Sequence, residues 1–286
     1  MFGIVIAFKK LNFKKGIWGS PWCGFDNFKF LFASADAWII TRNTIFYNIA
    51  FFLVGNVTAI AVAILINEIR KKTAKKLYQS LILLPYLMSW VIVSYLAFTF
   101  LSAETGMFNK GILEPLGHAG INWYQEKKYW PFILVFVNVW KGIGYSMIIY
   151  LSSIVGISVD YFEAARIDGA TDARVFFSVS LPLAKVGLVS VILFMSLQYW
   201  NDFYLSLYLI TKTDLYTLQK LLYNMMANIS ALLTNSSLQS AKEHIVLPSN
   251  TARMAMTVFT VLPVLVFYPF AQKYFVKGIT VGAVKG

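Results

Sequence analysis

The chain has 286 residues, of which 58% are hydrophobic and 13% charged, and its net charge is +12. A soluble domain usually carries about a quarter charged residues, so this shortage of charge indicates a membrane protein with several spans. The basic residues lie between apolar runs, which fits membrane orientation and argues against nucleic-acid binding. One cysteine and two histidines exclude an intrachain disulfide and argue against a metal or acid–base site.

Residues 1–43 are predicted to form a truncated first-helix stub and an outer segment. The apolar stretch Phe2 to Phe8 has only seven residues, whereas a membrane helix needs about 20. We interpret it as the end of a helix that starts before the chain does. The alternative is an interfacial stub that leaves the basic residues of 9–43 inside and inverts the next span. Alternation of the later spans places those residues outside, against their charge.

Five apolar runs are long enough to span a membrane, near 44–67, 79–101, 130–153, 186–210 and 252–272. The second contains Pro85 and the fifth contains Pro263 and Pro269, where we expect kinks rather than breaks. The short basic loop 68–78 belongs on the cytoplasmic side. Alternation then places 102–129 and 211–251 outside and 154–185 inside. The prediction is an all-α, polytopic membrane helix bundle over 44–286.

The loop before the fourth run is predicted to be a helix–turn–helix. Residues 161–167 suit a short helix, and Gly169 supplies the free backbone at which the chain can turn. A second helix is expected over 170–179, with Thr171 or Asp172 near its start. Such a hairpin on the inner side of the membrane would offer a rigid surface to a cytoplasmic partner.

This segment, 160–182, resembles the coupling loop of binding-protein-dependent ABC importer permeases. The family pattern is Glu-Ala-Ala, three residues, Gly, nine residues, Ile, one residue and Leu-Pro. The chain departs from it only by Val179. The resemblance implies the type-I ABC importer permease fold, with six spans in the family, and a loop that docks into an ATPase subunit. It assigns ATPase coupling to Glu163, Ala164, Ala165, Asp168, Gly169, Leu181 and Pro182.

The resemblance lies in the carbohydrate branch of the family, of the maltose type and the polysaccharide or aldouronate type, and it divides at the coupling loop. About residues 2–183 resemble the first permease subunit, through stretches that include 19–22, 84–86 and 140–141. About residues 184–286 resemble the partner permease, through 200–203, 216–219, 268–278 and 282–286. We interpret the division as recombination or fusion of related genes. An unfamiliar natural subfamily is the alternative.

The resemblance implies a permease subunit of an ATP-driven importer of sugars or oligosaccharides in the bacterial cytoplasmic membrane. The implied partners are a second permease subunit, two cytoplasmic ATPase subunits, an extracellular solute-binding lipoprotein and the sugar. The chain has no Gly-x4-Gly-Lys-Ser/Thr phosphate loop, so we expect no enzymatic activity and no cofactor, with ATP on the ATPase partner. The alternatives are a secondary transporter, a membrane-embedded enzyme and a non-functional mosaic permease fragment.

Polar and aromatic residues inside the runs mark a candidate substrate path, because polar groups in a membrane usually face a bundle interior or water. Pyranose rings stack on Trp and Tyr, amides bind hydroxyls, and Lys141 would attract uronate carboxylates. The alternative is a structural contact between Lys141 and Asp202 with packing by small residues. The candidates are Trp140, Lys141, Tyr145, Gln198, Trp200, Asn201 and Asp202. Asn56 and Thr58 are further polar residues of the first run.

Overall fold

The computed structural model describes residues 2–12, 14–29, 35–156, 163–165, 167–175, 177–178, 181–234, 251, 254–266 and 268–269. Within them the chain is helical, and its one extended pairing is an isolated antiparallel bridge between Lys9 and Trp22. The all-α prediction is therefore confirmed. In chain order the helices are α1 (Phe2–Ala7), α2 (Gly16–Gly19), α3 (Ala35–Asn67), α4 (Lys72–Leu87), α5 (Trp90–Leu101), α6 (Trp130–Val155), α7 (Asp172–Val175), α8 (Leu181–Trp200), α9 (Tyr204–Leu209), α10 (Leu218–Thr234) and α11 (Met254–Val266).

Among the described residues, two helical stretches are long and apolar enough to cross a membrane, Trp38–Asn67 and Lys127–Val155. The pair α4 and α5 forms a third candidate, although the two helices are bent by 95°. The described helices α8 and α11 occupy the fourth and fifth predicted runs. The structure thus supports two or three of the five expected spans by length and composition. The first run is longer than predicted, since α3 begins at Ala35, so the boundary at residue 44 falls inside a helix.

The kink expected at Pro85 is instead a break three residues later. Pro85 lies inside α4, which ends at Leu87, and Met88 is extended with φ −71° and ψ 142°. Ser89 then caps the new helix, because its Oγ accepts from the Ile92 amide at 3.3 Å. Proline removes one helical N–H and weakens the turn around it, and a strong N-cap restarts the helix in a new direction.

One compact unit comprises residues 46–200 and 268–286. Its core joins α3, α6 and α8, whose apolar surfaces interlock around Ala59, Ala63, Ile66, Met147, Tyr150, Leu151 and Met195. Helix α6 also packs against α4 at Gly144. A Cβ added there would lie 2.3 Å from the Ile82 carbonyl oxygen and 2.6 Å from the Leu83 Cα. Glycine therefore permits close contact between two helix backbones, as small residues do in membrane bundles.

The other unit comprises residues 1–45 and 201–267. The start of α10 is joined to α3, because Thr44 Oγ1 accepts from the Leu218 amide at 2.7 Å. Asn43 Nδ2 donates to the Asp214 carbonyl oxygen at 2.6 Å. These two bonds satisfy polar groups near the first turn of α10, which would otherwise lack helical partners.

Candidate functional site

The first helix of the coupling loop ends at Gly169. The Asp168 amide donates to the Ala164 carbonyl at 3.1 Å, and the Ala170 amide donates to the Ala165 carbonyl at 3.0 Å. Gly169 lies between these donors with φ +76°. A bond from the second residue beyond the cap back to the last turn defines the Schellman motif, which favours glycine because it has no Cβ. The predicted turn at Gly169 is confirmed.

The second helix of the loop, α7, begins where the sequence predicts. Thr171 Oγ1 accepts from the Arg174 amide at 3.4 Å, and the Thr171 carbonyl accepts from the Val175 amide at 2.9 Å. Thr171 is therefore the N-terminal cap. The predicted start of the hairpin at 160–162, and Val179 near its close, lie outside the described residues. Leu181 begins α8.

The loop presents acidic and apolar side chains on its surface. Glu163, Ala164, Asp168 and Pro182 are exposed, whereas Ala165 is half-buried. Ile167 is 86% exposed, and Phe177 is 66% exposed. Large apolar residues beside carboxylates on a short, capped hairpin suit contact with another protein better than contact with lipid tails, because the carboxylates need water or a cationic partner.

Lys141 lies at the break between α4 and α5. Its Nζ donates to the carbonyl oxygens of Tyr86 at 2.9 Å, Met88 at 2.8 Å and Pro85 at 3.5 Å. The ammonium also lies 5.6 Å from the Tyr86 ring centroid and 5.2 Å from that of Trp90. The side chain is only 9% exposed. These contacts let Lys141 satisfy carbonyls that the broken helix leaves without amide partners.

The other candidates on α6 have different surroundings. Tyr145 stacks on Tyr86, with ring centroids 4.8 Å apart and an angle of 9° between the planes, so it joins the Lys141 cluster. Trp140 instead lines an apolar cavity of about 580 Å³ between α5 and α6. Other aromatic residues of that lining are Phe100, Phe108, Trp123, Phe132 and Phe136.

The candidates at the end of α8 do not form one described site. Trp200 is the last residue of α8 and is half-buried, while Gln198 and Asn201 are exposed. Asp202 caps α9, because its Oδ1 accepts from the amides of Tyr204 at 2.9 Å and Leu205 at 3.3 Å. The structure therefore gives Asp202 a local structural role.

Two buried polar centres were not predicted from the sequence. Asn109 is fully buried in the loop after α5, where its side chain bonds the Ala103 and Ile121 backbones at 3.0 Å and 2.9 Å and accepts from Trp123 Nε1 at 3.0 Å. The Tyr150 hydroxyl donates to Asn56 Oδ1 across α6 and α3. A polar residue in an apolar run signals that a partner exists, but the partner here is 94 residues away.

Apolar helices of membrane length and an exposed, capped helix–turn–helix define a membrane protein of the transport-permease class. A model of the family described as "binding-protein-dependent transport system inner membrane component" matches residues 55–281. This match covers more than half of the chain, and the chain belongs to this family. Its members are transport components, so the match disfavours the secondary-transporter and membrane-enzyme alternatives.

The similar proteins are permeases and sugar importers by name. Protein LplB of Bacillus subtilis (strain 168) is 30% identical over 213 residues, which is 74% of this chain and 67% of LplB. The polygalacturonan/rhamnogalacturonan transport system permease protein YteP of the same organism is 35% identical over 188 residues, or 65% of this chain and 57% of YteP. A chain of a bacterial ABC transporter involved in import of the acidic polysaccharide alginate has a TM-score of 0.73 and 26% identity, and the match covers 97% of this chain and 88% of that chain.

The alginate-importer match runs across both halves of the chain and confirms the ABC importer permease fold. The matched part spans between 57% and 67% of the two curated relatives. The division of the sequence near residue 184 into two different permease types stays a prediction.

Proposed function

We propose that this chain is a permease subunit of an ATP-driven, binding-protein-dependent importer of sugars or oligosaccharides. The coupling loop is the feature that carries the proposal. In this function the loop transmits closure of two cytoplasmic ATPase subunits to the membrane helices. A second permease subunit and an extracellular solute-binding lipoprotein complete the assembly. ATP is bound by the ATPase subunits, and this chain contributes the membrane path.

The geometry of the loop supports this role in two ways. A helix that ends in a Schellman turn is held at a fixed angle to the next segment of the chain, so force applied to the loop reaches α8 with little slack. The exposed carboxylates of Glu163 and Asp168 and the exposed Ile167 offer a mixed contact surface. Ala164 allows close approach because its side chain is small.

The sugar class is supported by the names of similar proteins and by the aromatic content of the chain. YteP is named for polygalacturonan and rhamnogalacturonan, and the matching structure belongs to an alginate importer. Trp200 and Asn201 stay candidates for sugar contact. Lys141 also stays a candidate, although its described partners are backbone carbonyls and aromatic rings.

Gly169→Pro is expected to abolish uptake while the chain still inserts into the membrane. Proline fixes φ near −65°, whereas Gly169 has φ +76°. A Cβ at this position would meet no atom within 4 Å, so the defect arises from the backbone alone. Radiolabelled oligosaccharide uptake and co-purification of an ATPase with the tagged chain, identified by its phosphate-loop sequence, measure the two consequences.

Gly169→Asn is the matched control, because asparagine adopts positive φ at low cost. It should keep most of the uptake and retain the ATPase. Normal uptake by Gly169→Pro would show that the turn is dispensable. A wild-type chain that carries out uptake without an associated ATPase would overturn the proposed function itself.

A further inference from the structure

Three lysines of this chain are buried and lie against pairs of aromatic rings. Lys9, Lys141 and Lys220 are 3%, 9% and 6% exposed. A buried ammonium loses its hydration and is stable only when other groups replace that water. The three residues therefore form a natural comparison within one molecule.

Two of the three ammonium groups have hydrogen-bond acceptors. Lys9 Nζ donates to the carbonyls of Ile17 and Trp18, each at 3.0 Å, and Lys141 donates to the carbonyls at the α4–α5 break. Lys220 differs from both. Among the described residues its Nζ has neither an acceptor nor a paired carboxylate, and it lies 5.7 Å from the Tyr216 ring centroid and 5.5 Å from that of Tyr223.

The position of Lys220 adds to this deficit. It is the third residue of α10, a helix of 17 residues, where the partial positive charge of the helix disfavours a cation. Burial lowers the pKa of Lys220 below its ordinary value, with no opposing contribution from a neighbouring acid. Two positive charges, one from the side chain and one from the helix, thus meet at a place without a described anion.

The backbone around Lys220 is held firmly. The Thr217 hydroxyl accepts from the Lys220 amide at 3.5 Å and lies 3.2 Å from the Ser206 hydroxyl. The Thr44 hydroxyl holds the Leu218 amide at 2.7 Å. These helix amides are therefore already occupied, and the ammonium is the donor left for a ligand.

Exposed aromatic rings continue from this position. Tyr223 stacks on Phe203 at 5.2 Å, and Phe203 stacks on Tyr204 at 4.2 Å. Tyr204 and Tyr208 are nearly parallel in orientation, with 4° between their planes. The three tyrosines are 40% to 46% exposed. The C–H face of a pyranose packs against the negative face of such rings.

We propose that Lys220, Tyr216 and Tyr223 form a binding site for the carboxylate of an acidic sugar, with Tyr204 and Tyr208 continuing the platform for neighbouring rings. The inference rests on the proposed import function and names its substrate class. A carboxylate offers two acceptor oxygens to the three N–H donors of the ammonium and cancels the charge at the start of α10. In the predicted topology this segment lies outside, where arriving sugar would meet it.

The test is saturation-transfer NMR of trigalacturonate with the full chain in nanodiscs. Its fully methyl-esterified form has nearly the same size and no charge, and serves as the ligand control. The wild type is expected to bind the acid at least about tenfold more tightly than the ester. Lys220→Gln should remove that preference, and Lys220→Arg should keep part of it. Tyr223→Ala should weaken both ligands.

Lys128→Gln is the matched protein control. Lys128 also lies over a tyrosine ring, 4.8 Å from the Tyr129 centroid, but it is exposed and lies 3.7 Å from Glu126. It should keep the preference for the acid. Equal binding of acid and ester by the wild type overturns the inference, and so does an unchanged preference in Lys220→Gln. If Lys220→Gln fails to fold, the comparison of the two ligands on the wild type still decides.

Two further outcomes separate this inference from the proposed function. Import that depends on ATP but does not distinguish acid from ester overturns the acidic-sugar site alone. Preference for the acid in a chain that associates with no ATPase overturns the importer and leaves the site. If Lys220→Gln reduces binding of the solute-binding protein without sugar, the carboxylate belongs to that protein and the sugar assignment is wrong.

Discussion

At the scale of single residues, Lys141 is expected to stabilise the break between α4 and α5. Lys141→Met keeps the length of the side chain but leaves the carbonyls of Tyr86 and Met88 without their donor. A hydrogen bond to a charged group contributes about 1.5–3 kcal/mol, so the variant should melt at a lower temperature in detergent. If the role is structural, uptake of acidic and neutral oligosaccharides should fall together.

The comparison of the two sugars decides between the two roles of Lys141. A selective loss of acidic sugar uptake with an unchanged melting temperature would assign Lys141 to the substrate path. Full uptake of both sugars would show that neither the charge nor the carbonyl contacts are required. Lys141→Arg serves as the charge-conserving control.

The part of the site that can be predicted depends on how far apart the interacting residues are in the chain. Gly169 and Thr171 act within a few residues, so their spacing and residue types are sufficient. Lys141 stands out as an anomaly in an apolar run, but Met88 lies 53 residues away. The charge pattern treats Lys9 as a topological charge, yet it is buried and bonds α2. Single-sequence patterns do not contain such pairings.

At the scale of helices, the crossing of α4 and α6 is expected to depend on Gly144. Gly144→Ala would place a methyl group within 3 Å of the α4 backbone, which cannot move aside as a flexible side chain can. Overpacking of this kind costs about 1–3 kcal/mol. The folded fraction after detergent extraction, measured by size-exclusion chromatography, should fall.

Gly142→Ala is the control on the same helix. A Cβ at Gly142 meets no atom within 4 Å, and alanine favours a helix over glycine by about 1 kcal/mol. This variant should be as stable as the wild type or more so. Equal behaviour of the two variants would contradict the close contact between α4 and α6.

The same pair of helices shows why the kink predicted at Pro85 is wrong. Proline in a membrane helix commonly bends the helix without ending it, and Pro85 itself remains helical. The break occurs because Ser89 can cap a new helix while Lys141 occupies the carbonyls of the old one. The first cause is local and readable, whereas the second depends on a third helix. A bend of 95° fits both a broken span and a re-entrant pair, which differ in the side of the membrane that residue 104 faces.

At the scale of the whole molecule, the proposed function requires residues 163–175 to face the cytoplasm. The chain has one cysteine, Cys23, so Cys23→Ser provides a background for single-cysteine labelling. Lys71→Cys, Glu104→Cys and Arg174→Cys replace exposed residues in three successive loops. An impermeant maleimide should label Glu104→Cys in right-side-out vesicles and the other two only in inside-out vesicles.

Each departure from that result has a distinct structural meaning. If α4 and α5 form a re-entrant pair, Lys71→Cys and Glu104→Cys will be labelled from the same side, and Arg174→Cys from the opposite side, since α6 still crosses. If the basic loop 68–78 does not set the orientation, all three sites will exchange sides. In either case, labelling of Arg174→Cys from outside separates the coupling loop from any cytoplasmic ATPase and removes the basis for energy transfer. The expected pattern would place the hairpin where an ATPase can reach it and Lys220 on the side from which sugar arrives.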